Sequence, residues 1–298
     1  MNSNNYRDIV QKAVAKKYKK RLFVDKLVTI FTVVCVVAAI VPLGSILLEV
    51  VKNGASAISF EFLTQPQGSI GSGSGGIGPA IQGTIIVVGL ASLIAAPIGV
   101  LTGIYLSEFA KGGTFPNLVR FFNDVLTGLP SIVIGIVGYV VIVLSIGSFS
   151  VLAGSISLSI IMMPIVVRVT EETLKIVPHS FREAGYSLGI SKAKITLFIV
   201  LPSAKNGILT GIVIAISRIA GETAPLIMTI LGTSLFFTGI TGPVDALPLR
   251  IWRLASQPYE SAHAFGWGSA LILILMILAL SVGLRLLAQK RSPLKEII

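Results

Sequence analysis

Charge is scarce in this sequence: Asp, Glu, Lys and Arg together make up 12% of 298 residues, against 53% apolar side chains. A water-soluble domain of this length could not cover its surface with so few charges. Cysteine is limited to Cys35, so no intrachain disulfide can form and the redox compartment cannot be read from cysteine usage. The two histidines, His179 and His263, lie far apart in sequence, which argues against a Cys/His metal centre. No nucleophile–base constellation appears. No G-x-x-x-x-G-K-[ST] phosphate loop appears either, so the chain has no recognisable site for ATP hydrolysis and is not read as an enzyme.

What is present in abundance is uncharged sequence. Long runs extend from Leu27 to Leu48, Phe62 to Ser107, Val125 to Val167, Thr223 to Val244 and Ala264 to Leu284. A helix needs about 20 apolar residues to cross the hydrocarbon core, where backbone groups must be satisfied internally. None of the runs alternates with period two, so they read as helices and not as barrel strands. The Val125 to Val167 run is about twice a single crossing and is interrupted at Ser145-Ile146-Gly147-Ser148-Phe149-Ser150, which predicts a helical hairpin. The expected fold is all-α, a polytopic membrane protein with six transmembrane helices near 27–50, 80–107, 122–145, 150–168, 205–234 and 266–286.

Lysine and arginine set the orientation, because loops rich in them stay cytoplasmic. Nearly all of the 24 basic residues fall in the amino-terminal tail, the loop near Lys111, the Arg168 to Lys205 loop and the carboxy-terminal tail. Lys52, Arg250 and Arg253 fall on the other side, and Arg218 in neither. Both termini are therefore expected in the cytoplasm, with a basic tail 1–26, a permease domain 27–286 containing a cytoplasmic loop 169–204, and a tail 287–298. The patch Lys16-Lys17-Tyr18-Lys19-Lys20-Arg21 enforces this orientation or binds anionic membrane lipid. The +11 net charge thus needs no nucleic acid to explain it. The uncharged core of the first span exceeds the ~7–15 residues of a signal-peptide h-region and lacks an obvious small-residue cleavage site, so it is expected to be retained as an anchor.

Two segments invite chemistry. Gly71-Ser72-Gly73-Ser74-Gly75-Gly76 has the spacing of a dinucleotide-binding turn, but it lies in a low-complexity outer loop with no preceding strand, and it reads as linker. The polar stretch between Arg182 and Ser203 instead reads as helix, turn and helix facing a soluble partner. Small residues at Ala184, Gly185 and Gly189 permit close approach, Glu183 offers a charge to a basic surface, and Pro202 suits a break before the next span.

The spacing E-A-x-x-x-x-G-x9-I-x-L-P, realised by Glu183, Ala184, Gly189, Ile199, Leu201 and Pro202, resembles the signature of ABC importer permeases of the binding-protein-dependent type. Gly185 stands where a second alanine is usual. The resemblance implies the type I, MetI-like permease fold and a coupling helix docked into a groove on an ATPase subunit, which would hold the ATP and Mg.

One cation remains inside the apolar sequence. Arg218 lies 13 residues past Lys205, about 20 Å along a helix at ~1.5 Å per residue, which predicts a position near mid-bilayer. Glu222 follows at i+4, on the same helical face. Such a pair is a self-neutralising packing contact or part of a substrate pathway, and ionisable groups in a membrane favour the second. A guanidinium stays charged when partly desolvated and presents a planar fork to two oxygens of an oxyanion. Glu222 would hold it and temper anion binding. Pro225 leaves the Gly221 carbonyl without its helical donor, which predicts a kink suited to gating at Gly221 and Pro225.

The surrounding sequence Arg218-Ile219-Ala220-Gly221-Glu222-Thr223-Ala224-Pro225-Leu226 resembles the phosphate importer permeases, specifically the PstA-type subunit. Gly75-Gly76-Ile77-Gly78-Pro79-Ala80 and Leu129-Pro130-Ser131-Ile132-Val133-Ile134-Gly135 agree, so the likeness covers about residues 75 to 285. It implies a membrane heterodimer with a PstC-type permease, an ATPase homodimer, and an extracytoplasmic phosphate-binding protein, in a prokaryotic inner membrane. A permease for sulfate or molybdate would share the docking loop. A channel or membrane enzyme without an ATPase would leave that loop unexplained.

Overall fold

A computed structural model describes residues 3–68, 75–110 and 112–290, with side chains described from Arg21 to Leu286 together with Tyr18. Among the described residues the chain is helical and forms no strand beyond two isolated bridges. It divides into two compact units, 1–52 and 53–298. The linker Gly71 to Ser74 and the tail 291–298 lie outside the described residues.

The first unit is most of one helix, α1 (Ser3–Gly54), which continues without a break through the expected tail boundary at residue 26. Its apolar side chains, Phe23, Ile30, Phe31, Val41 and Leu48 among them, are exposed around the whole circumference. A helix apolar on every side is suited to lipid or to another membrane helix and not to water.

In the second unit α2 (Gly78–Phe109) carries Pro79 in its first turn and ends in a π-turn over Tyr105–Phe109. Next come α3 (Thr114–Gly128) and α4 (Ser131–Ile146), bent by 102°. The expected single span over 122–145 is therefore broken. Pro130 has no N–H to donate and forces Leu129 into extended backbone, φ −71° and ψ 135°, so the helix stops at Gly128 and restarts at Ser131.

The hairpin turn expected at 145–150 is present. Gly147 adopts φ 77° after α4, and Ser150 caps α5 (Val151–Ile176) by accepting the Ala153 N–H at 3.2 Å. α5 runs past residue 168 to Ile176, so part of the expected 169–204 loop is helix. It is the central element, with Ala153, Leu158, Met162, Val166 and Leu174 buried against α2 and later helices.

α6 (His179–Ser187) is short, and α7 (Lys192–Ala220) is long. The expected span 205–234 is displaced: α7 begins well before Lys205 and stops at Ala220. Gly221 caps its end, and Pro225 opens the separate short helix α8 (Ala224–Thr229). Nor does the chain break at Pro202. A π-turn over Thr196–Val200 widens the helix where the proline lacks a donor and its ring would strike a preceding carbonyl, so α7 passes through. A loop and α9 (Leu247–Ala255) lead to α10 (Glu260–Lys290). By length and composition five helices can cross a membrane, or six with the bent α3–α4 pair counted as one span.

Candidate substrate pathway and docking helix

α6 is tied to the bundle by a buried side chain. Arg182 is enclosed, and its guanidinium meets both carboxylate oxygens of Glu108, Nη2 to Oε1 at 2.6 Å and Nε to Oε2 at 3.1 Å. The same group donates to the carbonyls of Val177 and Leu174, at 2.8 and 3.0 Å. Side-chain exposures of 11% for Arg182 and 5% for Glu108 make this a desolvated, bidentate pair, the strong form of such a contact. The hydrogen bonds that Arg182 donates to the Glu108 carboxylate raise the Arg182 pKa against the opposing effect of burial, so the group stays charged. In the sequence Arg182 shows only as one basic residue of the loop, because its partner lies 74 residues away.

With Arg182 turned inward, the opposite side of α6 is presented. Phe181, Ala184 and Leu188 are exposed at i, i+3 and i+7, flanked by exposed Glu183 and Ser187. Gly185 faces the other way: a Cβ there would lie 2.7 Å from Cγ1 of buried Ile195, so hydrogen is the substituent that fits. Gly189 closes the helix at φ 74°, donating its N–H to the Tyr186 carbonyl at 2.9 Å. Nothing lies within 4 Å of where its Cβ would point, so its requirement is conformational and not steric. Ile199, Leu201 and Pro202 belong to α7 and not to the protruding part; Ile199 and Leu201 pack on the buried Leu174, Ile195 and Val200 cluster beneath α6.

Arg218 and Glu222 are placed differently from expectation. Arg218 sits in the last turn of α7, and the helix ends before Glu222, whose N–H bonds the Ile219 carbonyl at 3.2 Å. The two do not share a continuous helical face and make no ion pair with each other. The mid-bilayer estimate counted from Lys205, whereas the helix starts at Lys192, which puts Arg218 roughly 39 Å along it at ~1.5 Å per residue. The Arg218 guanidinium is exposed with no side-chain partner among the described residues, and Glu222 is half-buried. Gly221 and Pro225 mark the gap between two helices and not a kink in one. Pro225 packs against Gly135 of α4, where a Cβ would come within 2.7 Å of its Cα.

A cavity of about 300 Å³ between α2, α7 and α10 is lined by Val88, Ser92, Ser217, Ala220 and Met276 but not by Arg218. Its walls are almost wholly apolar, so it offers an anion nothing.

Arg250 and Arg253, read from sequence as outer-side charges, also prove structural. Arg250 forms a buried pair with Asp245 and donates to the Thr233 carbonyl. Arg253 donates to the carbonyls of Leu231 and Gly232, holding Leu231 at φ 63°. Among the described residues no cluster of His, Cys, Asp and Glu could hold a metal ion.

The bilayer-length helices α2 and α7 and the bent α3–α4 pair pack on the central α5, which makes the second unit a polytopic helical membrane domain. Residues 95–293 match the model of the "Binding-protein-dependent transport system inner membrane component". The chain is 37% identical over 247 residues to the phosphate transport system permease protein PstA of Yersinia pestis, covering 83% of this chain and 84% of that one. Over 221 residues it is 41% identical to the same protein of Xylella fastidiosa strain Temecula1, covering 74% and 77%. A probable PstA of the archaeon Methanocaldococcus jannaschii is 35% identical over 266 residues, covering 89% and 94%. The chain belongs to the PstA-type family of binding-protein-dependent transport permeases. Solved folds agree: a chain of a bacterial alginate ABC transporter superposes with TM-score 0.65 at 15% identity, covering 92% of this chain and 98% of that one, and a chain of the inward-facing MetNI methionine transporter with TM-score 0.58 at 16%, covering 72% and 96%.

Proposed function

We propose that this chain is one membrane-spanning half of an ATP-driven importer that carries inorganic phosphate across the prokaryotic cell membrane by alternating access. Phosphate is the substrate named for its PstA relatives. The observation that carries the mechanism is α6: a helix pinned on one side by the Glu108–Arg182 pair and left with an exposed Phe181, Ala184 and Leu188 stripe on the other. A buried charge pair fixes its orientation, and the stripe supplies the apolar anchors a partner groove needs.

On this reading the partner at α6 is a homodimer of ATPase subunits, which bind ATP and Mg and perform the hydrolysis. The positive-inside rule puts α6 and both termini in the cytoplasm. The apolar circumference of α1 faces lipid and a companion PstC-type permease, and an extracytoplasmic binding protein delivers phosphate. Arg218 contributes a positive fork to the path, and with no competing carboxylate among the described residues its donors are open to oxyanion oxygens. Glu222, Gly221 and Pro225 form the adjoining turn, where interruption of the helix allows rearrangement between outward and inward states.

The experiment is phosphate uptake by vesicles containing the complete complex, with and without ATP. ATP-dependent uptake supports the reading. Assembly without uptake of phosphate, alongside uptake of sulfate or molybdate, would overturn the substrate assignment.

A further inference from the structure

The end of α2 receives two guanidinium groups from different helices. Glu108, in the π-turn Tyr105–Phe109, is engaged bidentately by Arg182 of α6. Two residues earlier, the Leu106 carbonyl accepts Arg120 Nη2 of α3 at 3.0 Å. Arg120 is in turn tied to Glu171 of α5, at 3.0 Å, and Glu171 also binds Lys175 at 2.6 Å. One five-residue turn therefore joins the docking helix to α3, and α3 leads through Leu129 and Pro130 into α4, whose Gly135 bears on Pro225 beside Glu222.

The two contacts differ in strength. The Glu108–Arg182 pair is desolvated and doubly bonded, so a shift of α6 that separated its atoms would strand a charge in the interior. Moving α2 with α6 avoids that cost. The Arg120 contact is more exposed, at 36% of its side chain, and the more easily rearranged of the two. Single π-turns inside α-helices are frequent at functional positions.

We infer that Glu108 and Arg182 are the joint through which a displacement of the docking helix is passed to α2, and from there, through Arg120, to the bend between α3 and α4. Both are positioning residues, and neither touches the transported ion. The inference rests on the proposed docking of an ATPase at α6.

The test uses the assembled transporter in vesicles and reads phosphate uptake and ATP hydrolysis in the same sample. Glu108→Gln leaves an amide oxygen for Arg182 but removes the charge and one acceptor. Hydrolysis should stay within about twofold of the parent while phosphate moved per ATP falls about tenfold, a size typical of a lost coupling free energy. An unchanged ratio would overturn the joint. A parent complex that hydrolyses ATP but never moves phosphate would instead overturn the proposed function. If Glu108→Gln does not assemble, hydrogen exchange on the parent complex decides: a non-hydrolysable ATP analogue should change protection of residues 179–187 and 105–109 together. A change at 179–187 alone would overturn the joint.

Discussion

Gly135 and Pro225 meet backbone to backbone: a Cβ on the glycine would stand 2.7 Å from the proline Cα. The contact brings together two segments 90 residues apart in sequence, and it holds α8 against α4 beside the gap that contains Glu222. No side-chain movement can relieve it, because the obstructing atom is main chain. Gly135→Ala should therefore destabilise by about 1–3 kcal/mol, as overpacking does. The check is the thermal midpoint of the purified chain, with uptake reduced in proportion or more.

Arg218 and Glu222 are not paired, so their substitutions should act independently. Arg218→Gln should cut phosphate uptake by about 30-fold, the equivalent of losing ~2 kcal/mol of charge-assisted hydrogen bonding, while the complex still assembles. Glu222→Gln should have its own, smaller effect, and the double variant should show the sum in free energy. Strong non-additivity in that cycle would reveal a pair, contrary to the geometry described.

At the docking helix two glycines should fail for different reasons. Gly189→Leu imposes left-handed backbone on a branched side chain at about 1–2 kcal/mol, and Gly189→Asn should be tolerated far better. Gly185→Ala meets the Ile195 side chain instead, so Ile195→Ala should restore it in part. Co-purification of the ATPase with each variant separates the two cases.

The Asp245–Arg250 pair gives a stability prediction away from transport chemistry. Asp245→Ala strands the buried guanidinium and should destabilise by about 3–5 kcal/mol, whereas Asp245→Ala with Arg250→Met should recover much of that loss. Thermal unfolding of the two variants in the same detergent measures the difference.

The spans near 27–50, 80–107, 150–168 and 266–286, the turn at Gly147 and the polar segment after Arg182 could be read from the sequence because each is a local signal: hydropathy, a glycine in a serine-rich break, a polar interval. The bend at Leu129 and Pro130 had a local signal too, but a proline flanked by apolar residues does not interrupt a hydropathy run, and the run alone suggested one helix. The end of α7 at Ala220 was missed for the same reason, since Thr223 to Val244 is uncharged yet folds as a short helix and loop. Glu108 and Arg182 stand 74 residues apart, and Arg120 and Glu171 51 apart. Pairing at such separations is decided by tertiary packing, and neither periodicity nor charge counting contains it.

The π-turn at Thr196–Val200 gives the family spacing a geometrical meaning. A turn of this kind holds one surplus residue relative to a regular helix. Deleting it would restore even pitch and swing every upstream side chain about 100° around the axis, carrying Ile195 away from Gly185. The interval from Gly189 to Ile199 and Pro202 therefore behaves as a ruler: the number of residues it contains sets the azimuth at which α6 leaves the bundle.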